Sequence, residues 1–452
     1  MKINRVLLLG LVLVKSVFVA VSQERCVPVG MLCEYLSNPL GIDVLHPRLR
    51  WHLDDVRDKA MQKACRVLVS TDSLKLADKN YADCWDTGKR KTETMQFVYN
   101  GKKLLPFTKY FWKVEVWDKD GNKTSSDIAS FETGMLEMHN WRGSWISDGR
   151  DMDYKPAPYF RKEFVVNKSI YSARAYIAVA GLYELYMNGQ KVGNHRLDPM
   201  YTRFDRRNLY VTYDVTKLIQ EGKNAIGVLL GNGWYNHQSI AVWDFHHAPW
   251  RNRPAFCMDL HIMYADGTKD IICTDRDWRT REGGLLFNSI YTGEHYDAQA
   301  ELDGWNLPGY DDSTWRESSY RSVPSTCLTA QQLHPIRSVE TYVARRMTSL
   351  SDSVYVFDFG QNMSGVTSLK VTGEKGTVIR LKHGERLYSN GRVNTSNIDV
   401  YHRPVDDSDP FQTDIITLKG KGEEEFMPKF NYKGFRYVEV ISSQPIKLNE
   451  RS

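Results

Sequence analysis

One short stretch of the chain mixes large aromatic side chains with amide, carboxylate and imidazole groups. Pyranose rings present apolar C–H faces that stack on aromatic rings, while polar side chains nearby bond to the sugar hydroxyls. This mixture therefore predicts a carbohydrate-binding segment. The candidate contact residues are Asn232, Trp234, Tyr235, Trp243, Asp244, His247 and Trp250.

A packing role competes with sugar binding for part of this segment. Trp234 and Tyr235 follow an apolar run, so at the end of a strand they would pack into a β-sandwich, and this role is favoured for the pair. Trp243 and Trp250 lie where the periodicity is weak, and we expect both to be exposed. The neighbouring histidine pair would point to opposite faces of a strand, so it does not predict a metal site.

Glu294 and Asp297 are the pair of acids that most invites a catalytic interpretation. Inverting hydrolysis of a glycosidic bond needs a protonated carboxyl group and a carboxylate about 6.5–9.5 Å apart. A strand or turn at this point would aim the two side chains differently. A structural role, in which they bond to a loop or to an arginine, is therefore favoured, and no catalytic residue is predicted in the chain.

Strand periodicity and turn chemistry predict an all-β chain. Residues 110–117 alternate with a period of two, Asn188 and Gly189 form a hairpin signal between apolar runs, and residues 435–441 alternate again. The length suits about three domains of ~100–200 residues. The predicted domains are a fibronectin type III-like sandwich at 24–135, a jelly roll at 150–325 and a third β-sandwich at 326–445.

Residues 1–22 predict a signal peptide. Lys2 and Arg5 form a basic start, residues 6–14 are an apolar run, and residues 20–22 are the small residues of a cleavage site. The apolar run is shorter than the ~20 residues of a membrane-spanning helix, and no other segment is long enough. We therefore expect an exported protein, periplasmic or secreted, without a transmembrane segment in the mature chain.

Charge and cysteine content narrow the function further. The net charge of +5 falls to about +2 without the three basic residues of the leader, which predicts no nucleic-acid partner. The seven cysteines include no CxxC pair, so buried small side chains are favoured over a zinc or redox site. Four of them could pair in three ways, and the sequence leaves the pairing open: Cys26, Cys33, Cys65 and Cys84.

A series of longer motifs occurs in a fixed order along nearly the whole chain after the leader. The motifs are NGQKVG at 188–193, GNGWY at 231–235, GEHYDA at 293–298, DFGQN at 358–362 and FNYKGFRYV at 430–438. The series closely resembles the non-catalytic β-domains of bacterial α-L-rhamnosidases, glycoside hydrolase family 78. In that family these sandwiches precede an (α/α)6 barrel that carries the catalytic carboxylates, and we expect no such barrel in this chain.

The resemblance implies the accessory half of an enzyme that removes terminal α-L-rhamnose from glycans by inversion. Its implied partners are rhamnose-containing glycans and, for a split enzyme, a separately encoded barrel. A truncated gene product and a fragment remain alternatives, and we expect the chain alone to be inactive. Two other classes also stay open: a free-standing carbohydrate-binding protein and a purely structural module.

The resemblance requires no cofactor, although it permits calcium beside the sugar. Calcium prefers six to eight oxygen ligands, so Asp303, Asp311 and Asp312 would serve only if a loop brought them together. Acids of surface turns are the favoured interpretation of these three residues. The metal ligands, the natural glycan and the oligomeric state are not predicted.

Overall fold

The computed structural model describes residues 26–78, 81–402 and 408–452. The predicted signal peptide lies outside this part, so it stays a prediction. The protein is all-β, with one α-helix, α1 (Ser73–Asp78), in the described part. None of the described helices is long and apolar enough to cross a membrane. Short 3₁₀ turns cover Met138–Asn140, Phe245–His247, Ala298–Ala300 and Asp399–Tyr401.

Two compact units make up the chain. The first takes in residues 48–102 and 111–129 together with the described residues up to 37, and the second takes in 38–47, 103–110 and 130–452. The strands as far as residue 132 are β1 (Val27–Cys33), β2 (Arg48–Asp54), β3 (Gln62–Ser70), β4 (Trp85–Asp86), β5 (Arg90–Lys91), β6 (Gln96–Val98), β7 (Lys109–Asp118), β8 (Lys123–Ser125) and β9 (Ala129–Glu132).

The first unit is a small sandwich. One sheet has the order β1-β2-β6, and the other contains β4-β3-β7-β8 with β5 paired to β3. Trp112 and Val114 of β7 are fully buried, and Trp51 of β2 is also buried. Each such side chain stabilises the sandwich by about 1.5–3 kcal/mol through loss of contact with water.

The second unit begins with a larger two-sheet sandwich. The strands between residues 146 and 337 are β10 (Ile146–Ser147), β11 (Pro158–Val166), β12 (Ile170–Ala180), β13 (Leu182–Met187), β14 (Gln190–Lys191), β15 (His195–Arg196), β16 (Asn208–Asp214), β17 (Gly222–Gly231), β18 (Ala255–Tyr264), β19 (Lys269–Cys273), β20 (Arg279–Glu282), β21 (Leu285–Asn288), β22 (Glu294–Asp297), β23 (Arg316–Glu317), β24 (Ser319–Tyr320), β25 (Leu328–Ala330) and β26 (Ile336–Arg337).

Its two sheets have the orders β24-β10-β18-β12-β16-β25 and β14-β13-β17-β11-β20-β23. The core lies between them, where Phe160 and Val228 of one sheet meet Ile177 and Phe256 of the other. The predicted hairpin at Asn188 and Gly189 is confirmed, since this pair joins β13 to β14. Both residues have positive φ values, 51° and 83°, as the favoured two-residue hairpin turn requires.

The third sandwich occupies the C-terminal part of the second unit. Its sheet has the order β21-β22-β33-β30-β35-β28-β27, and β29 pairs with β34 against it. The new strands are β27 (Arg346–Ser349), β28 (Val354–Gly365), β29 (Leu369–Thr372), β30 (Val378–Gly384), β31 (Arg386–Leu387), β32 (Val393–Asn394), β33 (Thr413–Thr417), β34 (Glu423–Phe426) and β35 (Lys433–Ser442).

Strands β21 and β22 therefore belong to the third sheet, although they precede β23 to β26 in the chain. Strand β22 pairs with β33 in parallel, with His295 opposite Ile415 and Asp297 opposite Thr417. The two sandwiches of the second unit are thus joined by shared strands as well as by the connecting chain.

None of the seven cysteines, all of which lie in the described part, forms a disulfide. Cys26, Cys33, Cys65 and Cys257 are buried, while Cys327 is exposed. Burial raises the pKa of the Cys33 and Cys257 thiols, which keeps them protonated at neutral pH.

A candidate carbohydrate-binding surface

The candidate segment starts at the end of β17, where Asn232 ties the chain to β21. The Asn232 backbone N–H donates to Asn288 Oδ1 at 2.7 Å, and its side-chain amide donates to the Asn288 carbonyl at 2.9 Å. Asn236 in turn donates to Asn232 Oδ1 at 3.1 Å. Both members of the Asn232–Asn288 pair are buried, so Asn232 shapes the start of the loop from the interior.

Aromatic side chains pack beneath the loop. Trp234 stacks on His237 with ring centroids 5.3 Å apart and contacts Phe245 at 5.0 Å. Trp250 donates its indole N–H to the Trp234 carbonyl at 3.2 Å, which holds it half-buried. The prediction of an exposed Trp250 was therefore wrong, because a long-range hydrogen bond turns its polar edge inward. Tyr235 is buried, as its predicted packing role requires.

An exposed pair of rings lies above this layer. Trp243 is 49% exposed and Tyr401 is 51% exposed, and their rings stack 5.7 Å apart at an interplanar angle of 25°. Tyr291 supports Trp243 edge-on at 5.1 Å. The Val242 backbone N–H donates to the Tyr401 carbonyl at 3.0 Å, which fixes the two loops to each other. We call Trp243 and Tyr401 the aromatic platform.

Polar groups lie next to the platform. Asp244 adopts the left-handed conformation, with φ of 53°, immediately before the 3₁₀ turn Phe245–His247. The His247 backbone N–H donates to the Asp244 carbonyl at 2.8 Å, and both side chains are exposed. A carboxylate and an imidazole therefore stand within a few residues of Trp243, where they are available to sugar hydroxyls.

His237 is the least satisfied polar group of the site. It is only 2% exposed, and neither ring nitrogen has a hydrogen-bond partner within the described part of the chain. Burial and then the neighbouring His246, Arg251 and His402 lower its pKa to about 4, so the imidazole is neutral at pH 7. Unpartnered buried polar groups are uncommon in folded proteins.

Sequence reasoning missed Tyr291 and Tyr401. They lie far from the candidate segment in the chain, and no local pattern marks them as neighbours of Trp243. Tyr401 reaches the platform through an isolated β-bridge between Ala241 and His402. This contact joins a loop of the larger sandwich to a loop of the third sandwich.

The acids Glu294 and Asp297 do not face a common space. Glu294 is buried and accepts backbone N–H groups of Lys429 and Phe430, the former at 2.9 Å. Burial and then the nearby Asp414 raise the pKa of Glu294 to about 7. Asp297 caps a 3₁₀ turn by accepting the Gln299 N–H at 2.9 Å. Each carboxyl group therefore has a structural partner.

The three acids considered for calcium are also separately engaged. Asp312 forms an ion pair with the buried Arg161, and Asp311 accepts the Ser313 N–H at 3.0 Å. Asp303 lies 3.7 Å from the Lys419 ammonium group. Across residues 26–78, 81–402 and 408–452, no group of three or more His, Cys, Asp or Glu side chains is arranged to hold a metal ion.

The architecture defines a multidomain β-sandwich protein. Three family models match it in succession: the Rha78A-like N-terminal immunoglobulin domain at residues 28–137, the α-L-rhamnosidase N-terminal domain at 168–340, and the bacterial α-L-rhamnosidase concanavalin-like domain at 348–451. The chain therefore consists largely of domains that are found in α-L-rhamnosidases of glycoside hydrolase family 78.

Individual relatives agree with this assignment. An α-L-rhamnosidase of Formosa agariphila is 33% identical over 90% of this chain and 45% of its own length. The structure of the α-L-rhamnosidase from Dictyoglumus thermophilum is 37% identical, with a TM-score of 0.85 over 94% of this chain and 48% of that one. The Streptomyces avermitilis enzyme, solved with L-rhamnose, is 25% identical, with a TM-score of 0.85 over 93% and 56%. The chain thus spans about half the length of these relatives.

Proposed function

We propose that this chain forms the accessory β-domains of an α-L-rhamnosidase that acts on terminal α-L-rhamnose, and that the aromatic platform holds a rhamnose-containing glycan. The stacked, half-exposed Trp243 and Tyr401 carry the proposal, because stacking holds both rings in place while about half of each side chain remains open to solvent and to a sugar face. Rhamnose bears a methyl group on C5 in place of the hydroxymethyl group of other hexoses, which enlarges the apolar area available for such stacking.

The surroundings of the platform support the same proposal. Asp244 and His247 offer polar groups to the ring hydroxyls, while the neutral His237 lies in the layer beneath. Asn232, Trp234, Tyr235 and Trp250 shape and support the surface from below. A polar rim around a rigid aromatic surface is the usual composition of a sugar site.

Calorimetric titration of the secreted chain with L-rhamnose and an α-L-rhamnosyl disaccharide tests the platform. One stacking ring contributes ~0.5–1.5 kcal/mol to the binding free energy. Trp243→Ala and Tyr401→Ala should therefore each weaken binding about two- to tenfold. Tyr171→Ala is the matched control, since Tyr171 is 71% exposed and lies outside the platform. Unchanged affinity in both platform variants, with normal thermal unfolding, would contradict the proposal.

A free-standing carbohydrate-binding protein is the second candidate, and the exposed platform favours it over a purely structural module. The two candidates differ in what the DNA next to this reading frame encodes. An adjacent frame for an (α/α)6 barrel supports the accessory half of a rhamnosidase, with that barrel as its partner. Glycan binding without such a frame supports the free-standing protein.

We also propose export, because residues 1–22 combine a basic start, an apolar run and small residues at the cleavage position. N-terminal sequencing of the secreted protein should begin close to Gln23. Recovery of uncleaved chain in the cytoplasm would contradict this prediction.

A further inference from the structure

The first unit contains a cleft of its own. Its volume is about 510 Å³, within the ~300–1,000 Å³ typical of sites for small molecules. The lining comes from one stretch of chain, in which β4 and β5 belong to one sheet and β6 to the other. The cleft therefore lies where the chain crosses between the two sheets.

Two half-buried aromatic rings, Trp85 and Phe97, form the floor of the cleft. The buried Trp51 stacks behind Phe97 with centroids 6.0 Å apart at 15°. The buried Tyr99 meets Trp85 edge-on at 5.3 Å. The two floor rings meet edge to face, with centroids 6.5 Å apart at 62°, and each is backed by a buried ring. They therefore form a preformed apolar corner that loses little side-chain entropy on binding.

The rim carries polar groups that the protein itself does not use. The side-chain amides of Gln96 and Asn100 make no hydrogen bond to any described residue, and both line the cleft. Arg90 uses only its Nε, which donates to the Thr87 carbonyl at 3.0 Å. Neither Arg90 nor the exposed Lys91 pairs with a carboxylate in the described part of the chain.

The acid of the cleft does not cancel this positive charge. Asp86 binds Arg66 through both carboxylate oxygens, at 2.9 and 2.6 Å, and its charge is balanced there. Arg66 accordingly lowers the pKa of Asp86. Arg90 and Lys91 thus leave the cleft with a net positive rim beside an aromatic floor.

We propose that this cleft binds a carboxylated sugar, a uronic acid residue of a glycan. One face of the sugar stacks on one of the two rings, Trp85 or Phe97, with the other ring at its edge. The free amides bond to its hydroxyls, and its carboxylate is attracted by the positive charges of Arg90 and Lys91. A neutral sugar would use the floor and the amides but would leave both cations without a partner. The first unit would then recognise acidic sugars, in addition to the recognition of rhamnose proposed for the platform.

Calorimetric titration of the whole secreted chain with a galacturonic acid trisaccharide, and with the neutral galactose trisaccharide, tests this proposal. The acidic ligand should bind more tightly, and its affinity should fall as salt is raised. The double substitution Arg90→Gln with Lys91→Gln should weaken binding of the acidic ligand about two- to tenfold, as loss of two exposed ion pairs predicts. Binding of the neutral ligand should not change.

Lys89→Gln is the matched control, since Lys89 lies over the Trp117 ring and outside the cleft lining. It should leave the affinity for the acidic ligand unchanged. Trp243→Ala should also leave it unchanged, which separates this cleft from the platform. Equal affinity for the two trisaccharides, or unaltered binding in the double variant, would overturn the proposal. If Trp243→Ala abolished binding of the acidic ligand, that ligand would be bound at the platform and the proposal would be wrong.

Discussion

Lys433 and two carboxyl groups form a buried network between β22, β33 and β35. The Lys433 ammonium group donates to both oxygens of Asp414, at 2.8 and 2.7 Å, and Asp414 also accepts the Glu294 backbone N–H at 2.9 Å. Glu294 is left with backbone donors from the segment around Lys429. Lys433 therefore pairs with Asp414 and not with Glu294. A negative charge on Glu294 is disfavoured by burial and by the nearby Asp414 carboxylate.

This arrangement predicts a pH-dependent loss of stability that originates at Glu294. Its pKa is about 7 in the folded protein against an ordinary value of 4.5. Between these values the folded state keeps the proton that the unfolded state has released, so this contribution to the free energy of unfolding falls as pH rises. At ~1.4 kcal/mol per pKa unit, the whole window corresponds to about 3 kcal/mol.

Urea unfolding of Glu294→Gln and the unsubstituted chain, at several values from pH 4.5 to above pH 7, measures this contribution. As pH rises through this window, the free energy of unfolding of the unsubstituted chain should fall by about 3 kcal/mol relative to that of the variant. Glu450→Gln is the control, because Glu450 is exposed, and its difference should stay constant. If the stability of the variant and that of the unsubstituted chain change with pH in parallel, the Glu294 carboxyl group has an ordinary pKa and the prediction is wrong.

At the scale of elements, residues 338–344 form an exposed connection in the second unit. They lie in no strand or helix, and all except the half-buried Ala344 are exposed, with Val339 at 92% and Val343 at 62%. Proteases cut exposed segments without regular hydrogen bonding most readily. Limited trypsin digestion should therefore cleave first near Arg337 or Arg345.

The two fragments should remain together after this cut, because β21 and β22 stay paired with β33 of the other fragment. Size-exclusion chromatography of the nicked chain should show one species, which separates only in denaturant. An initial cut inside the first unit would contradict the expected order, and separation of the fragments in native buffer would contradict the shared sheet.

Local signals predicted the strands of this protein but not all of their partners. The alternation at residues 435–441 and the turn at Asn188 and Gly189 agree with β35 and the β13–β14 hairpin because period and turn chemistry are local. The parallel pairing of β22 with β33 joins segments 120 residues apart and leaves no periodic trace. The same limit applies to the aromatic platform. Weak periodicity predicted an exposed Trp243, but its stacking on Tyr401 depends on a tertiary contact that no local pattern indicates.

At the scale of the whole molecule, the two acids considered for catalysis, Glu294 and Asp297, are each held by backbone N–H groups of different segments and do not form a facing acid and base. We therefore predict that residues 23–452 do not hydrolyse an aryl α-L-rhamnoside, since inversion needs two carboxyl groups on opposite sides of the bond. A complete α-L-rhamnosidase serves as the positive control in the same assay. Measurable hydrolysis that disappears in Glu294→Gln would place catalysis in the β-domains.

The parallel strand pair also matters while the chain is being made. Glu294 leaves the ribosome 120 residues before Asp414, which at ~5–20 residues per second is a delay of roughly 6 to 24 s. During that interval the β21–β22 hairpin has an open edge, and open edges pair with other chains. Nascent protein therefore needs protection at this hairpin, and its yield should fall when translation is slowed between β22 and β33.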